Sequence, residues 1–278
     1  MKFAVTIVSP PGYIHVAAFR EVAESIHFGL LSMGYDCVLT TEGRIPGRQH
    51  IVLGSNLLPA FRLPLAPDAI LYNLEQADPA SGWFRPELLE VFSRYRVWDY
   101  NQKNAVALGA LGINVEKVVP IGYVIELSRI QFSERRDIDV LFFGSMNQRR
   151  QEVIHRLKAS GLNVAAVFGV YGKDRDALIA RSKLLLNIHY YESKVLEIVR
   201  ISYLLANSCA VLSEFSSDPR EDASLAEGVA FAEYSELVKA AHELIQDGEY
   251  RENLAGRGFK LMSARSMSDY LMTALEIL

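Results

Sequence analysis

Short apolar runs alternate along this chain with stretches whose apolar residues recur at three- and four-residue steps. That alternation constrains the fold more than any other feature. An unbroken apolar run suits a strand buried on both faces, and the amphipathic stretches between supply helices to cover it. The pattern predicts an α/β chain on a mainly parallel sheet. Phe3-Ala4-Val5-Thr6-Ile7-Val8 is the first run. Pro10-Pro11-Gly12 breaks the chain after it, and a helix is expected over about 16–33. Phe19, Val22, Ala23, Ile26, Leu30 and Met33 share one face of that helix, and Gly34 is its stop. Further strands are expected at 37–39, 51–53, 69–72, 96–99 and 118–121.

A polar stretch at 128–139, including Ser133-Glu134-Arg135-Arg136-Asp137, interrupts the pattern, which then restarts. Strands are expected at 140–143, 164–168, 183–188, 210–212 and 229–231, with helices over about 148–160 and 194–206 and onward to the C-terminus. A boundary near 124–137 divides the chain into a first domain, 1–125, and a second, 138–278. At 278 residues the chain can bury a core in each. Two halves alike in kind predict two Rossmann-like domains facing across a cleft, with a ligand at the carboxyl ends of the strands.

A formal charge of -4 leaves no electrostatic footprint for nucleic acid or an anionic membrane. Cys37 and Cys209 lie far apart without a CxxC partner, so two buried thiols are expected rather than a metal site or a disulfide. No apolar run approaches the roughly 18 residues of a membrane span, and the opening run is too short for a secretion signal. A cytoplasmic location is the expectation.

Four strand-end segments carry candidate chemistry. Ser9-Pro10-Pro11-Gly12-Tyr13-Ile14-His15 follows the first strand and sets His15 near a helix N-terminus. The helix dipole there disfavours a cation, and a neutral imidazole can take a proton from a hydroxyl. A histidine that only hydrogen-bonds locally is the alternative. Tyr72-Asn73-Leu74-Glu75-Gln76 offers Asn73, Glu75 and Gln76 to sugar hydroxyls, or to ordinary turn capping. Asp99-Tyr100-Asn101 and Gly122-Tyr123 stand at similar strand ends. In Phe143-Gly144-Ser145-Met146-Asn147-Gln148-Arg149-Arg150, a small turn enters a helix whose amides suit a phosphate, and the arginines add charge. It lacks the GK[ST] of a P-loop.

The fourth segment runs from Leu186-Asn187-Ile188-His189-Tyr190-Tyr191 through Glu192-Ser193-Lys194-Val195-Leu196-Glu197 to Ile198-Val199-Arg200. Glu197 could accept bonds from both ribose hydroxyls, and Lys194 or Arg200 could neutralise a diphosphate. An i,i+3 salt-bridged helix face is the alternative. His27, His50 and His155 read as structural. Asp137-Ile138-Asp139 precedes its strand and Asp174-Arg175-Asp176 opens a charged helix, so neither makes a metal site.

The fourth segment resembles the donor-binding signature of GT-B glycosyltransferases, in which two glutamates lie eight positions apart. Glu197, after Val195-Leu196, matches the second, which grips the donor ribose in that family. His189 stands where the first would be, the residue that contacts the sugar in retaining members. Leu204 to Glu214 is similar to the family's small-residue turn and strand, and Glu227-Gly228-Val229-Ala230-Phe231, Tyr234 to Leu237 and Ala255-Gly256-Arg257-Gly258 continue the likeness. Asp139 to Ser145 with Arg149-Arg150 resembles the opening of CgeB-like donor domains in glycosyltransferase family 4. The likeness covers about 138–270, and the His15 loop is similar in place to the acceptor domain of inverting members.

The resemblance implies a glycosyltransferase using a nucleoside diphosphate sugar, with no metal and no cofactor. Gly144, Ser145, Asn147, Arg149, Lys194 and Arg200 would meet the diphosphate, Glu197 the ribose, and His189 and Tyr190 the sugar. Asn73, Glu75 and Gln76 would face the acceptor, with His15 as base and inversion as the outcome. The acceptor, be it glycan, lipid or protein, is left open, as is peripheral attachment to a membrane. Two rivals stand beside this reading: a non-catalytic GT-B-like module that binds a nucleotide or glycan, and a sugar-nucleotide epimerase.

Overall fold

A computed structural model describes residues 1–78 and 81–276. The chain forms two compact units, Met1–Val124 with Arg265–Leu278, and Ile125–Ala264. Residues 265–276, assigned by sequence to the second half, thus pack with the first. Among the described residues no helix is long and apolar enough to cross a membrane.

The first unit is built on six parallel strands: β1 (Lys2–Ile7), β2 (Asp36–Thr40), β3 (Gln49–Leu53), β4 (Ile70–Asn73), β5 (Arg96–Asp99) and β6 (Val115–Val118). Their spatial order is β2-β1-β3-β4-β5-β6. Phe3, Ala4 and Val5 are wholly buried, as are all four residues of β4, because helices flank a parallel sheet on both sides. The one polar residue within the β1 run, Thr6, is satisfied inside: its hydroxyl donates to Glu42 O at 3.1 Å and lies 2.8 Å from His50 Nδ1. His50 Nε2 accepts from the Ile45 amide at 2.8 Å, and burial lowers the pKa of this imidazole. His50 is therefore a structural bridge between β1 and β3.

The helix expected over 16–33 is two elements. Residues Ile14–Phe19 form a 3-10 turn, and the α-helix α1 runs only over Arg20–Ser32. Phe19 closes the turn with its ring over Gly54, where a Cβ would come within 3.0 Å of it. Met33 ends α1, and Gly34 follows with φ +84°. Helices α2 (Pro86–Ser93) and α3 (Gln102–Ala110) complete the N-terminal part of the unit. The last strand, expected at 118–121, lies three residues earlier, since Pro120 has no N–H to give a ladder.

The second unit has five parallel strands, β7 (Ile138–Phe143), β8 (Val164–Val167), β9 (Ser182–Asn187), β10 (Val211–Glu214) and β11 (Ala230–Ala232), ordered β11-β10-β9-β7-β8. Between them and after them come α4 (Gln148–Ala159), α5 (Gly172–Ala180), α6 (Ile198–Ala206), α7 (Pro219–Leu225), α8 (Leu237–Gln246) and α9 (Gly248–Ser263). Val140, Phe142, Leu184, Leu186 and Leu212 of the sheet join Val153, Leu157, Leu237 and Leu244 of the helices in one core.

After α9 the chain returns to the first unit as α10 (Met267–Ala274). Tyr123 N donates to Arg265 O at 2.7 Å and Met267 N to Tyr123 O at 3.0 Å. Gly122 makes this docking feasible, since a Cβ there would fall 2.4 Å from Met267 Cα. α10 lies along α1, where a Cβ on Gly29 would sit 3.0 Å from both Leu271 and Met267. Lys117 Nζ reaches Glu276 at 2.7 Å.

Candidate functional site

Open parallel sheets bind ligands where the strand order reverses, beyond the carboxyl ends of the strands. In the second unit this point lies between β7 and β9, which pair side by side although β8 separates them in sequence. Its two loops are 144–147 and 188–197, the two segments singled out by sequence. Gly144 leaves β7 at φ +147°, and a Cβ there would meet Arg200 Nη2 at 2.7 Å. Ser145 is exposed beside it. Asn147 caps α4 by accepting from the Arg150 amide at 3.0 Å, and its Nδ2 ties the turn to Tyr190 O at 3.0 Å.

Four cationic side chains converge here on two carboxylates. Arg149 forks onto Glu214, with Nη1 at 2.7 Å from Oε2 and Nη2 on Oε1, and Lys194 Nζ lies 3.1 Å from the same Oε1. Arg150, almost wholly buried, reaches Glu197 Oε1 at 2.5 Å and gives Nε and Nη2 to Ile188 O and Nη1 to Ser145 O. Arg200 closes the set on Glu197 Oε2 and donates to Asn187 Oδ1 at 2.6 Å. The cluster carries an excess of two formal positive charges. Burial works against ionisation of both glutamates, yet Arg200 and Arg150 hold Glu197 below the usual carboxylate range, and Arg149 and Lys194 do the same for Glu214. Burial lowers Arg150 to about 10.

The helix expected from 194 starts later. Lys194 adopts φ +45°, the chain turns, and α6 begins at Ile198 with Glu197 as its N-cap. Lys194 therefore pairs with Glu214 rather than sharing a helix face with Glu197, while the Glu197–Arg200 pair one turn apart is present. A non-glycine residue at positive φ costs about 1–3 kcal/mol and commonly marks a ligand loop.

His189 lies at the centre of these charges. It is fully buried, its amide donates to Glu214 Oε2 at 3.2 Å, and neither ring nitrogen has a hydrogen-bond partner within bonding distance among the described residues. Burial keeps its pKa below the usual imidazole range despite the pull of Glu197 and Glu214. A buried unsatisfied donor or acceptor costs about 1–3 kcal/mol, so the ring sits in a costly setting as it stands. Tyr190 stacks edge-on with Tyr191 at 4.9 Å and sits 5.1 Å from the Arg150 guanidinium.

In the first unit the order reverses between β1 and β3. His15 lies in the 3-10 turn after β1, partly exposed, with its ring 5.2 Å from Tyr13. It stands five residues ahead of α1, so the helix start expected beside it lies further along the chain. Asn73 and Glu75 follow a different course. Asn73, wholly buried at the end of β4, gives Nδ2 to Asp99 Oδ2 at 2.7 Å and to Glu75 O at 2.8 Å, and accepts from the Glu75 amide at 3.2 Å. Asn104 adds a bond to Glu75 O at 3.1 Å and takes the Ala77 amide at 3.0 Å. The Glu75 carboxyl accepts from Asn56 Nδ2 at 3.1 Å through Oε1. Burial pushes Glu75 to about 7 and Asp99 also to about 7, the latter against hydrogen bonds from Asn73, Asn101 and Asn104. Gln76 lies half-buried in the same loop.

Sequence reading passed over Asn56 and Asn104, named Glu214 only within the likeness to a family strand, gave Arg150 only a charge beside the phosphate turn, and gave Asp99 little weight. Strand-end position was the available signal for Glu214 and Asp99. Both Asp-x-Asp segments are engaged elsewhere: Asp137 pairs with Arg181, Asp139 with Lys183, and Asp176 with Arg175 and the Tyr203 hydroxyl. Both cysteines are buried, and burial raises each thiol, Cys37 to about 12.

No family model matches the sequence. Residues of this chain are 33% identical over 132 positions to uncharacterized protein L138 of Acanthamoeba polyphaga mimivirus, covering 46% of the chain but 15% of that protein. Uncharacterized protein L140 of the same virus is 27% identical over 250 positions, covering 85% of the chain and 76% of its own length. Among solved structures, Anabaena HepE in complex with UDP and glucose superposes with a TM-score of 0.62 at 14% identity, covering all of both chains. T4 phage β-glucosyltransferase superposes with a TM-score of 0.61 at 13% identity, again over both chains entirely.

The fold is GT-B. The six-stranded and five-stranded parallel sheets are the two Rossmann-like domains of that GT-B fold, each with its own switch point.

Proposed function

We propose that this protein is a glycosyltransferase that takes its sugar from a nucleoside diphosphate sugar held by the second unit. The observation that carries the reading is the cluster of Arg149, Arg150, Lys194 and Arg200 around a buried, unsatisfied His189 at the switch point. Two uncompensated positive charges at a helix N-terminus suit a diphosphate. Gly144, Ser145 and the Asn147-capped start of α4 would receive the phosphates, with Arg149, Lys194 and Arg200 supplying charge. Glu197 would take the ribose. Its oxygens hold Arg150 and Arg200, and the Tyr190 amide also bonds to the carboxylate. His189 and Tyr190 would face the sugar, where the imidazole finds the partner it lacks. Asn73, Glu75, Gln76 and His15 of the first unit would serve the acceptor.

UDP in the HepE complex and in the work on T4 β-glucosyltransferase with UDP-glucose supports uridine as the first nucleotide to try. A place near the CgeB-like members of glycosyltransferase family 4 belongs to the proposal, on the strength of Asp139 to Ser145 with Arg149-Arg150. The chemistry needs no metal: catalysis comes from positioning and from cations that stabilise the leaving diphosphate. Direct displacement would invert the anomeric centre. Isothermal titration with UDP, GDP and TDP tests the reading. Micromolar binding by one of them, weakened at least about tenfold in Glu197→Ala, is the expected result. No binding of any would remove it.

A further inference from the structure

In the second unit, the loop after β9 (188–194) and the loop after β10 (215–218) are laced together beside His189. Ser217 N donates to Lys194 O at 3.0 Å, and its hydroxyl donates to Ser193 O at 2.5 Å. α7 adds a third element through Asp222, which is buried and takes the Ser216 amide on Oδ1 at 3.2 Å and on Oδ2 at 3.0 Å. The setting of the His189 ring is thus fixed from β9, β10 and α7 within one unit.

The charges that act on this ring are Glu197, Glu214 and Asp222, which pull a proton towards it, and Arg149, which opposes them. The three carboxylates differ in one respect. Glu197 lies between Arg150 and Arg200, and Glu214 between Arg149 and Lys194. Asp222 has no lysine or arginine partner among the described residues, only the Ser216 amide and hydroxyl about it. Counting Asp222 with the cluster, four cations face three carboxylates, and the single positive charge left over is more than consumed by a diphosphate.

A group that enters beside His189 therefore meets a neutral imidazole and a carboxylate without a counter-ion. A hydroxyl suits both, because one nitrogen of a neutral imidazole donates, the other accepts, and a hydroxyl does either. A second carboxylate would bring a like charge into a half-desolvated place with every nearby cation already engaged. Resting on the transferase reading above, we infer that the sugar of the donor is an uncharged hexose, and that Asp222 is a specificity residue that turns away a uronic acid.

Isothermal titration near pH 7.5 with UDP, UDP-glucose and UDP-glucuronate tests this, since the two sugars differ only in a hydroxymethyl group against a carboxylate. The wild type should bind UDP-glucose at least about tenfold more tightly than UDP-glucuronate. Asp222→Asn removes the charge and keeps an oxygen for the Ser216 amide, and should narrow that ratio to below about threefold. Should Asp222→Asn misfold, Asp222→Ser also removes the charge, keeps an acceptor on its hydroxyl, and should narrow the ratio in the same way. Wild-type protein that binds the two sugars equally, prefers UDP-glucuronate, or binds UDP but neither sugar overturns the inference. So does a folded Asp222 variant that keeps the wild-type ratio. Failure of the wild type to bind UDP or either sugar nucleotide sinks the transferase reading instead, which keeps the two failures apart.

Discussion

Replacing Arg150 by Met should be the most damaging single change in the second unit, and its cost should depend on pH. Met preserves most of the apolar stem between Phe142 and Tyr190. It removes every hydrogen bond to Ile188 O and Ser145 O and one of the two cations on Glu197. Breaking a buried ion pair from one side costs about 3–5 kcal/mol, and the remaining Arg200 contact puts the expectation near the lower end, about 3 kcal/mol near pH 7.5. In the wild type Glu197 titrates below its ordinary value. A depressed carboxylate stabilises the fold above its unfolded pKa, and that stability is lost as pH falls through the folded one. Without Arg150, burial drives Glu197 upward, and near pH 4.5 the mutant carboxyl is partly protonated and costs less to bury. Urea unfolding followed by fluorescence at the two pH values measures both quantities. A loss below about 1 kcal/mol near neutrality, or equal losses at both pH values, would refute the reasoning.

Gly122→Ala should destabilise the first unit by about 2–4 kcal/mol, because its Cβ meets the Met267 backbone at 2.4 Å, and limited proteolysis should then cut between Ala264 and α10; unchanged melting and cleavage would speak against the docking. Lys194→Gly relieves the positive φ of 45° but removes a cation from Glu214, so stability measured by thermal melting should change by less than about 1 kcal/mol while UDP affinity falls about tenfold. Affinity that stays at the wild-type level would take Lys194 out of the phosphate site. UDP binding should also weaken as ionic strength rises, since the attraction rests on net charge; salt-independent affinity would argue for another mode.

The parts of the fold with strong periodicity were legible in the sequence. β1, β7 and α4 announce themselves through unbroken apolar runs and a capped amphipathic stretch. β6 did not, because an edge strand reading Val-Glu-Lys-Val buries none of its four residues fully and carries no apolar run. The α10 return was invisible, since a helix that crosses back to the first unit has the same local pattern as one that stays. Within the site, the two loops at 144–147 and 188–197 could be found by their strand-end position, but the pairing could not. Lys194 was expected beside Glu197 on a helix, and only the positive φ at Lys194 sends it to Glu214. Arg150 was expected only to add charge beside Arg149 at the phosphate turn, yet the register of α4 buries it, and its partners at Ile188 and Glu197 lie some forty positions away in sequence. The raised pKa of Glu75 comes from enclosure by Asn56 and its neighbours, which no local pattern encodes.

The most direct test is a crystal structure of the protein soaked with UDP-glucose. The diphosphate should lie against Gly144, Ser145 and the start of α4, within ion-pair distance of Arg149 or Lys194, with Glu197 on the ribose and a sugar hydroxyl bonded to His189. Nucleotide bound away from these residues, or a His189 ring still without a partner in the complex, would contradict it.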